Sequence, residues 1–167
     1  MSPKVLIAYA SRSGSTMEVA EFIGQVLHEA GLEAEVTSVD QVTSIEPYKL
    51  VILGSAARVG KLLPEIIKFA KRSAAELVHK KTAYFSVSMT MCEDTPENRN
   101  KVAIYLEPLL KIKEPVSTGL FAGKYDSSSV NFLLRQILKK MKVPEGDFRN
   151  WEEIRGWSQE LARKFAE

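Results

Sequence analysis

Hydroxyl side chains at Ser11, Ser13, Ser15 and Thr16, interrupted by Arg12 and Gly14, follow directly on the apolar run Val5-Leu6-Ile7-Ala8-Tyr9-Ala10. That order of residues suits an anion. A buried strand that breaks into a short turn and then becomes helical aims backbone N–H groups at one point, where the helix dipole favours negative charge. Ser and Thr hydroxyls add donors without adding charge, and Arg12 adds one cation. The turn lacks the Gly-Lys-Ser/Thr ending of triphosphate-binding loops and the three-glycine dinucleotide pattern. The ligand read from it is therefore one terminal phosphomonoester, as in a mononucleotide. Helix capping uses the same residue types, and it is their clustering with Gly14 behind a buried strand that favours phosphate.

Other chemistry is sparse. The single cysteine, Cys92, has no histidine near it in sequence, and His28 and His79 lack metal-ligand spacing. No zinc signature, nucleophile triad or carboxylate pair emerges, and no metal is expected. Any redox or transfer chemistry must then belong to a bound cofactor.

The elements that position the turn alternate between strand-like and helix-like patterns along the chain, as in a parallel sheet covered on both faces. Residues 5–10 and Leu50-Val51-Ile52-Leu53 are continuous apolar runs, as strands buried on both sides should be. Residues 33–39 alternate like a shorter, more exposed strand, and further strands are expected at residues 82–87 and 116–121. Residues 16–30 carry Val19, Ala20, Ile23, Val26 and Leu27 at helical spacing, and Gly31 stands where a helix C′ glycine belongs. Pro64 and Thr95-Pro96 open two more helices, the second with Val102, Ala103, Tyr105 and Leu106 inward. Asn150 or Asp147 is expected to cap a last helix that aligns Trp151, Ile154, Trp157, Leu161 and Phe165.

These patterns predict one α/β domain over residues 1–167, a doubly wound five-stranded parallel sheet of order 2-1-3-4-5. Such sheets bind ligands beyond the carboxyl ends of the strands, where the winding reverses. Three segments are thereby expected as loops around one site: residues 11–16, 55–60 and 86–90.

The chain has 167 residues, is 45% hydrophobic and 26% charged, and has a net charge of +2. These are ordinary values for a globular protein and give no basis for a nucleic-acid partner. One cysteine excludes an internal disulfide and suits a reducing, cytoplasmic setting. No secretory leader is evident at the N-terminus, and no apolar run approaches the roughly 20 residues of a membrane-spanning helix.

Ser11, Ser13, Gly14 and Thr16 resemble the phosphate loop of the flavodoxin superfamily. The chain is more closely similar to the FMN-dependent, quinone-linked protoporphyrinogen IX dehydrogenase family. The similarity lies in Arg12, Gly14 and Thr16, in Gly54, Ser55, Ala56, Arg58 and Gly60, and in Phe85-Ser86-Val87. It extends to Gly119-Leu120-Phe121-Ala122-Gly123 and to Trp151-Glu152. Ser13 stands where that family's loop carries an acidic residue. The resemblance implies a flavodoxin-like fold, FMN as cofactor, and a place in haem synthesis. A porphyrinogen would be the electron donor, and a quinone or redox protein the acceptor. It also implies that Ser11, Arg12, Ser13, Gly14, Ser15 and Thr16 hold the phosphate of FMN. Ser55, Ala56, Ala57, Arg58, Val59 and Gly60 would meet its ring, as would Ser86, Val87, Ser88, Met89 and Thr90. No aromatic occupies the obvious ring-stacking positions of the second or third segment, which would leave one ring face open to substrate.

An insertion over residues 124–147 separates the fifth strand from the last helix. Val130, Leu133, Leu134, Ile137, Leu138 and Met141 recur in it at helical spacing, with Arg135, Lys139, Lys140 and Lys142 around them. A helix packed on its own domain would read the same way. The functional reading gives Lys124, Arg135, Lys139 and Lys140 to substrate carboxylates or to a membrane surface, so that the protein would be cytoplasmic and peripheral on the membrane. Three other functions stay open: an electron-carrying flavodoxin, an FMN-dependent NAD(P)H or quinone reductase, and a cofactor-free interaction module. A homo-oligomer is compatible with all of them.

Overall fold

The computed structural model describes residues 4–166; the first three residues, on which part of the N-terminal reading rests, lie outside that range. The apolar runs become a parallel sheet. Strand β1 (Lys4–Ala10) pairs with β2 (Glu33–Ser38) on one side and β3 (Leu50–Arg58) on the other. Beyond β3 lie β5 (Lys81–Ser88) and β6 (Ser117–Ala122). The sheet order is β2-β1-β3-β5-β6, and the short β4 (Lys61–Leu62) attaches only to β3. Without β4, this is the expected 2-1-3-4-5.

Alternation along each strand sends successive side chains to opposite faces. Leu6, Ala8, Val51 and Leu53 join one core with Ile66, Phe69, Leu77 and Leu109, from helices α2 (Pro64–Arg72), α3 (Ala74–Leu77) and α5 (Glu107–Leu110). Val5, Ile7, Leu50 and Ile52 join the other with Val19, Ile23, Leu27, Ile154 and Leu161, from α1 (Ser15–Glu29) and α7 (Trp151–Ala166). Gly54 keeps the centre of β3 thin. A Cβ there would lie 2.0–2.5 Å from the Phe85 ring.

Helix ends follow the expected chemistry. Gly31 takes a left-handed φ of 89° just past α1, Thr95 Oγ1 accepts from the Asn98 N–H at the start of α4 (Pro96–Tyr105), and Asn150 Oδ1 accepts from the Glu153 N–H at the start of α7. Asp147 does not cap. Ala103 is exposed rather than inward, because the buried stripe runs through Val102, Leu106 and Leu109 as α4 gives way to α5.

Two further expectations need correction. Residues 55–60 are not an irregular loop: β3 runs on to Arg58 and turns back into β4, pairing Ala57 with Leu62 and Arg58 with Lys61. Val59 and Gly60 form the turn with φ of 50° and 76°, the double left-handed geometry of a two-residue hairpin. In the third segment Ser86 and Val87 lie in β5, in keeping with the strand expected at residues 82–87, and β5 takes in Ser88 too before the chain leaves it in a 3-10 turn at Met89–Cys92.

The insertion is tied at its neck by β7 (Lys124–Tyr125) and β8 (Gly146–Asp147), which pair antiparallel. Between them lies α6 (Phe132–Lys140), shorter than the apolar spacing suggests. Asn131 Oδ1 caps its start by accepting from the Leu134 N–H. Its end closes through Lys142 N–H to Lys139 O and Val143 N–H to Leu138 O, a closure that normally selects glycine at C′. Here Lys142 holds it, at φ 55°.

Candidate functional site

Register alone brings the three segments together. Ala10 lies opposite Ser55, and Ser55 opposite Ser86, so the ends of β1, β3 and β5 form one row. A cavity of about 360 Å³ opens beyond that row. Ser13 and Ser15 line it from the turn after β1, Ala56, Ala57, Arg58, Val59 and Gly60 from the hairpin, and Val87, Ser88, Met89 and Thr90 from the end of β5. Leu134, Leu138 and Met141 of the insertion line it too.

The turn after β1 offers donors that suit an anion. Gly14 precedes α1 in a left-handed conformation with φ 91°, which a Cβ would strain, and its N–H donates to Ser11 Oγ at 3.1 Å. The first N–H groups of α1 have no acceptor within the helix. Thr16 is fully buried and its Oγ1 has no partner among the described residues. Arg12 lies outside the cavity lining, its Nη2 donating to Glu65 Oε1 at 2.6 Å. That guanidinium holds the Glu65 carboxyl below its ordinary pKa.

Ser55 serves the fold. Its Oγ donates to Ala56 O and accepts from the Leu63 N–H, closing the hairpin onto the start of α2. Ser86 and Ser88 differ. Both are buried in β5, and neither Oγ has a partner among the described residues. Together with Thr16 Oγ1, these are three unmatched hydroxyls on the segments that meet at the cavity, of which Ser88 lines it, and each carries the cost of a buried polar group that lacks a hydrogen bond.

Arg58 is half-buried and has no carboxylate partner among the described residues. Burial, and then the nearby Arg12 charge, lower its pKa from the ordinary arginine value. Cys92 also lines the cavity, with its thiol pushed up to about 11 by burial, so it is protonated and unreactive at neutral pH.

The cations of the insertion separate. Lys124 lines the cavity, joined by Lys142. Lys139 and Lys140 are exposed outside it. Arg135 braces the insertion: its Nε donates to Ser127 O and its Nη2 to Val130 O, which secures the turn leading into α6.

Three residues not anticipated from sequence belong to the site. Tyr105 and Tyr125 bring aromatic surface to the cavity from α4 and β7, although the hairpin and the end of β5 carry none. Arg149 is nearly buried. Its Nε and Nη2 donate to Asp147 at 2.9 and 2.8 Å, its Nη1 to Ser15 O at 3.4 Å, and Glu18 lies 3.4 Å away. It therefore joins the neck of the insertion to the turn after β1 and the start of α1. Asp147 beside it in sequence is the one trace of this role.

A family profile described as Flavodoxin domain matches residues 6–150. A protein of Escherichia coli K12 named protoporphyrinogen IX dehydrogenase [quinone] is 27% identical, over 95% of this chain and 94% of its own. One of the same name from Leishmania major is 28% identical, over 99% of this chain and 74% of its own. Among solved structures, an archaeal flavodoxin superposes with a TM-score of 0.63 at 18% identity, covering 98% of this chain and 99% of that one.

Proposed function

The chain belongs to the flavodoxin domain family and binds FMN, and from that premise we propose that it oxidises protoporphyrinogen IX or a close analogue, with electrons leaving to a quinone. When bound, FMN supplies the capacity to accept a hydride or an electron pair and pass it on. Binding, orientation and the exclusion of water fall to the chain.

The three unmatched hydroxyls fit the cofactor. The helix start at Ser15, with the Thr16 hydroxyl and the Ser13 and Ser15 side chains, is suited to a phosphomonoester. Ser86 and Ser88 offer partners to the polar edge of a flat heteroaromatic ring, while Ala56 and Ala57 let the hairpin backbone approach it. Arg58, without a carboxylate of its own, would stabilise negative charge gained by that ring.

One observation carries the reading from carrier to enzyme: the insertion places Leu134, Leu138 and Met141 on the cavity that Ser88 and Arg58 also line. The wall they make is apolar, with Lys124 and Lys142 at hand for carboxylates. An apolar macrocycle bearing acidic side groups matches that combination. The relatives named protoporphyrinogen IX dehydrogenase [quinone] support the same substrate class and acceptor.

The test is anaerobic mixing of FMN-loaded protein with protoporphyrinogen IX, followed by addition of a quinone. Bleaching of the flavin band by the porphyrinogen and its return with quinone is the expected result. Bleaching by NADPH alone, with none by the porphyrinogen, would replace this reading with that of a nicotinamide-dependent reductase.

A further inference from the structure

No residue of α6 is buried, yet the helix is largely apolar. Its inner face is accounted for, since Leu134 and Leu138 are half-buried against the cavity. Its outer face is not. Phe132 and Leu133 are each 71% exposed, and Met141 just past the helix end is 57% exposed. Large apolar side chains at such exposure, at both ends of one short helix, mark an interaction surface.

The charges around them select the partner. Helical spacing of seven and eight residues puts Lys139 and Lys140 on the same outward half of α6 as Phe132 and Leu133. Between residues 124 and 142 the chain has five cations (Lys124, Arg135, Lys139, Lys140, Lys142) against one carboxylate, Asp126, and α6 itself holds no acid. The carboxylate is engaged locally, accepting from the N–H and Oγ of Ser128. Large apolar side chains flanked by lysines, on a helix face that none of the described residues covers, match an anionic lipid surface. The aromatic and leucine insert among the acyl chains, and the lysine stems extend to the headgroups.

We propose that the outward face of α6 docks this protein on anionic bilayers, with Phe132 and Leu133 inserted and Lys139 and Lys140 on the headgroups. Met141, just past the end of α6 that carries Lys139 and Lys140, both lines the cavity and is exposed. Docking would therefore bring the cavity mouth to the lipid phase in which a hydrophobic quinone dissolves; this last consequence rests on the proposed function, whereas the docking itself does not.

The experiment is sedimentation of the FMN-loaded protein with vesicles of phosphatidylcholine alone or mixed equally with phosphatidylglycerol. Wild type is expected in the pellet only with the anionic vesicles, and to leave it as salt is raised. The Phe132→Ser/Leu133→Ser variant should lose about tenfold in partitioning. Lys139→Glu/Lys140→Glu should lose at least as much. FMN titration of each variant establishes that the fold is intact. As a measurement that leaves the apolar face in place, Phe132→Trp should show a blue shift of emission on anionic vesicles. Wild type that stays in the supernatant overturns the proposal, as does pelleting unaffected by either double variant. Self-association that disappears in Phe132→Ser/Leu133→Ser, with no vesicle binding, assigns the face to a second copy and overturns it as well.

Discussion

The Arg12 guanidinium lies 2.6 Å from the Glu65 carboxylate, joining the turn after β1 to the first turn of α2. Both side chains are substantially solvated, so the pair adds little to stability. Its larger effect is on the cation, whose guanidinium is engaged by Glu65 outside the cavity lining, so that under the proposed function the carboxylate competes with the FMN phosphate for it. Glu65→Gln should therefore tighten FMN by about threefold, and Arg12→Ala should weaken it by a similar factor. Titrations of flavin fluorescence measure both. Equal weakening by the two variants would mean that the pair acts as a brace and not as a competitor.

Thr16 tests the fit of the cofactor from the other side. Its hydroxyl is buried without a partner among the described residues, so Thr16→Val should leave the FMN-free protein as stable as before or slightly more so. A hydrogen bond to a charged group contributes about 1.5–3 kcal/mol, so the same substitution should cost tenfold to about a hundredfold in FMN affinity. Thermal unfolding with and without FMN separates the two effects. A loss of stability in the FMN-free protein would show that the hydroxyl serves the fold.

Arg149 gives the site its pH dependence. Its hydrogen bonds hold the Asp147 carboxyl below the ordinary carboxylate pKa. A group whose folded pKa is depressed stabilises fully above its unfolded value and loses that contribution as pH falls through the folded one. Asp147→Asn should thus cost about 1 kcal/mol at neutral pH, discounted for the partial exposure of the carboxylate. The gap from wild type should close below the ordinary carboxylate range. Urea midpoints measured across that range decide it, and a gap independent of pH would contradict the assignment.

Arg58 should act on the cofactor's potential. Replacing it with Gln removes a half-buried cation beside the proposed ring position, and the midpoint potential of bound FMN should fall by about 30 mV, the equivalent of about 1.4 kcal/mol for a two-electron couple. Spectroelectrochemical titration reads the shift. An unchanged potential with an altered Michaelis constant for porphyrinogen would move Arg58 from the cofactor to the substrate.

What was legible in the sequence were the features whose signal is local. A doubly buried strand reads as an unbroken apolar run, so Val5 to Ala10 and Leu50 to Leu53 declared themselves, and with them the sheet order. Gly31, Thr95 and Asn150 announced helix ends through their own chemistry. The extension of β3 did not, because Ser55-Ala56-Ala57-Arg58 has no apolar alternation and its turn places the β-branched Val59 where glycine or asparagine is usual. Ser88 looked like a loop residue because its hydroxyl is polar, yet pairing with Ala122 of β6 buries it at the end of a strand. Helical spacing found α6 but merged its two sides: it could not tell that Leu134 and Leu138 turn inward while Leu133 turns out. Arg149 was hidden for a different reason, since its partners Ser15 and Glu18 lie more than a hundred residues away in the chain.

The pairing of Lys124 with Asp147 means that the insertion leaves and re-enters the domain at neighbouring points. A loop anchored in this way can be lengthened, shortened or exchanged at small entropic cost, and the sheet beneath it registers no change. The insertion and the sheet edge beneath it are thus separable parts of one fold, so that exchanging the one need not disturb the other.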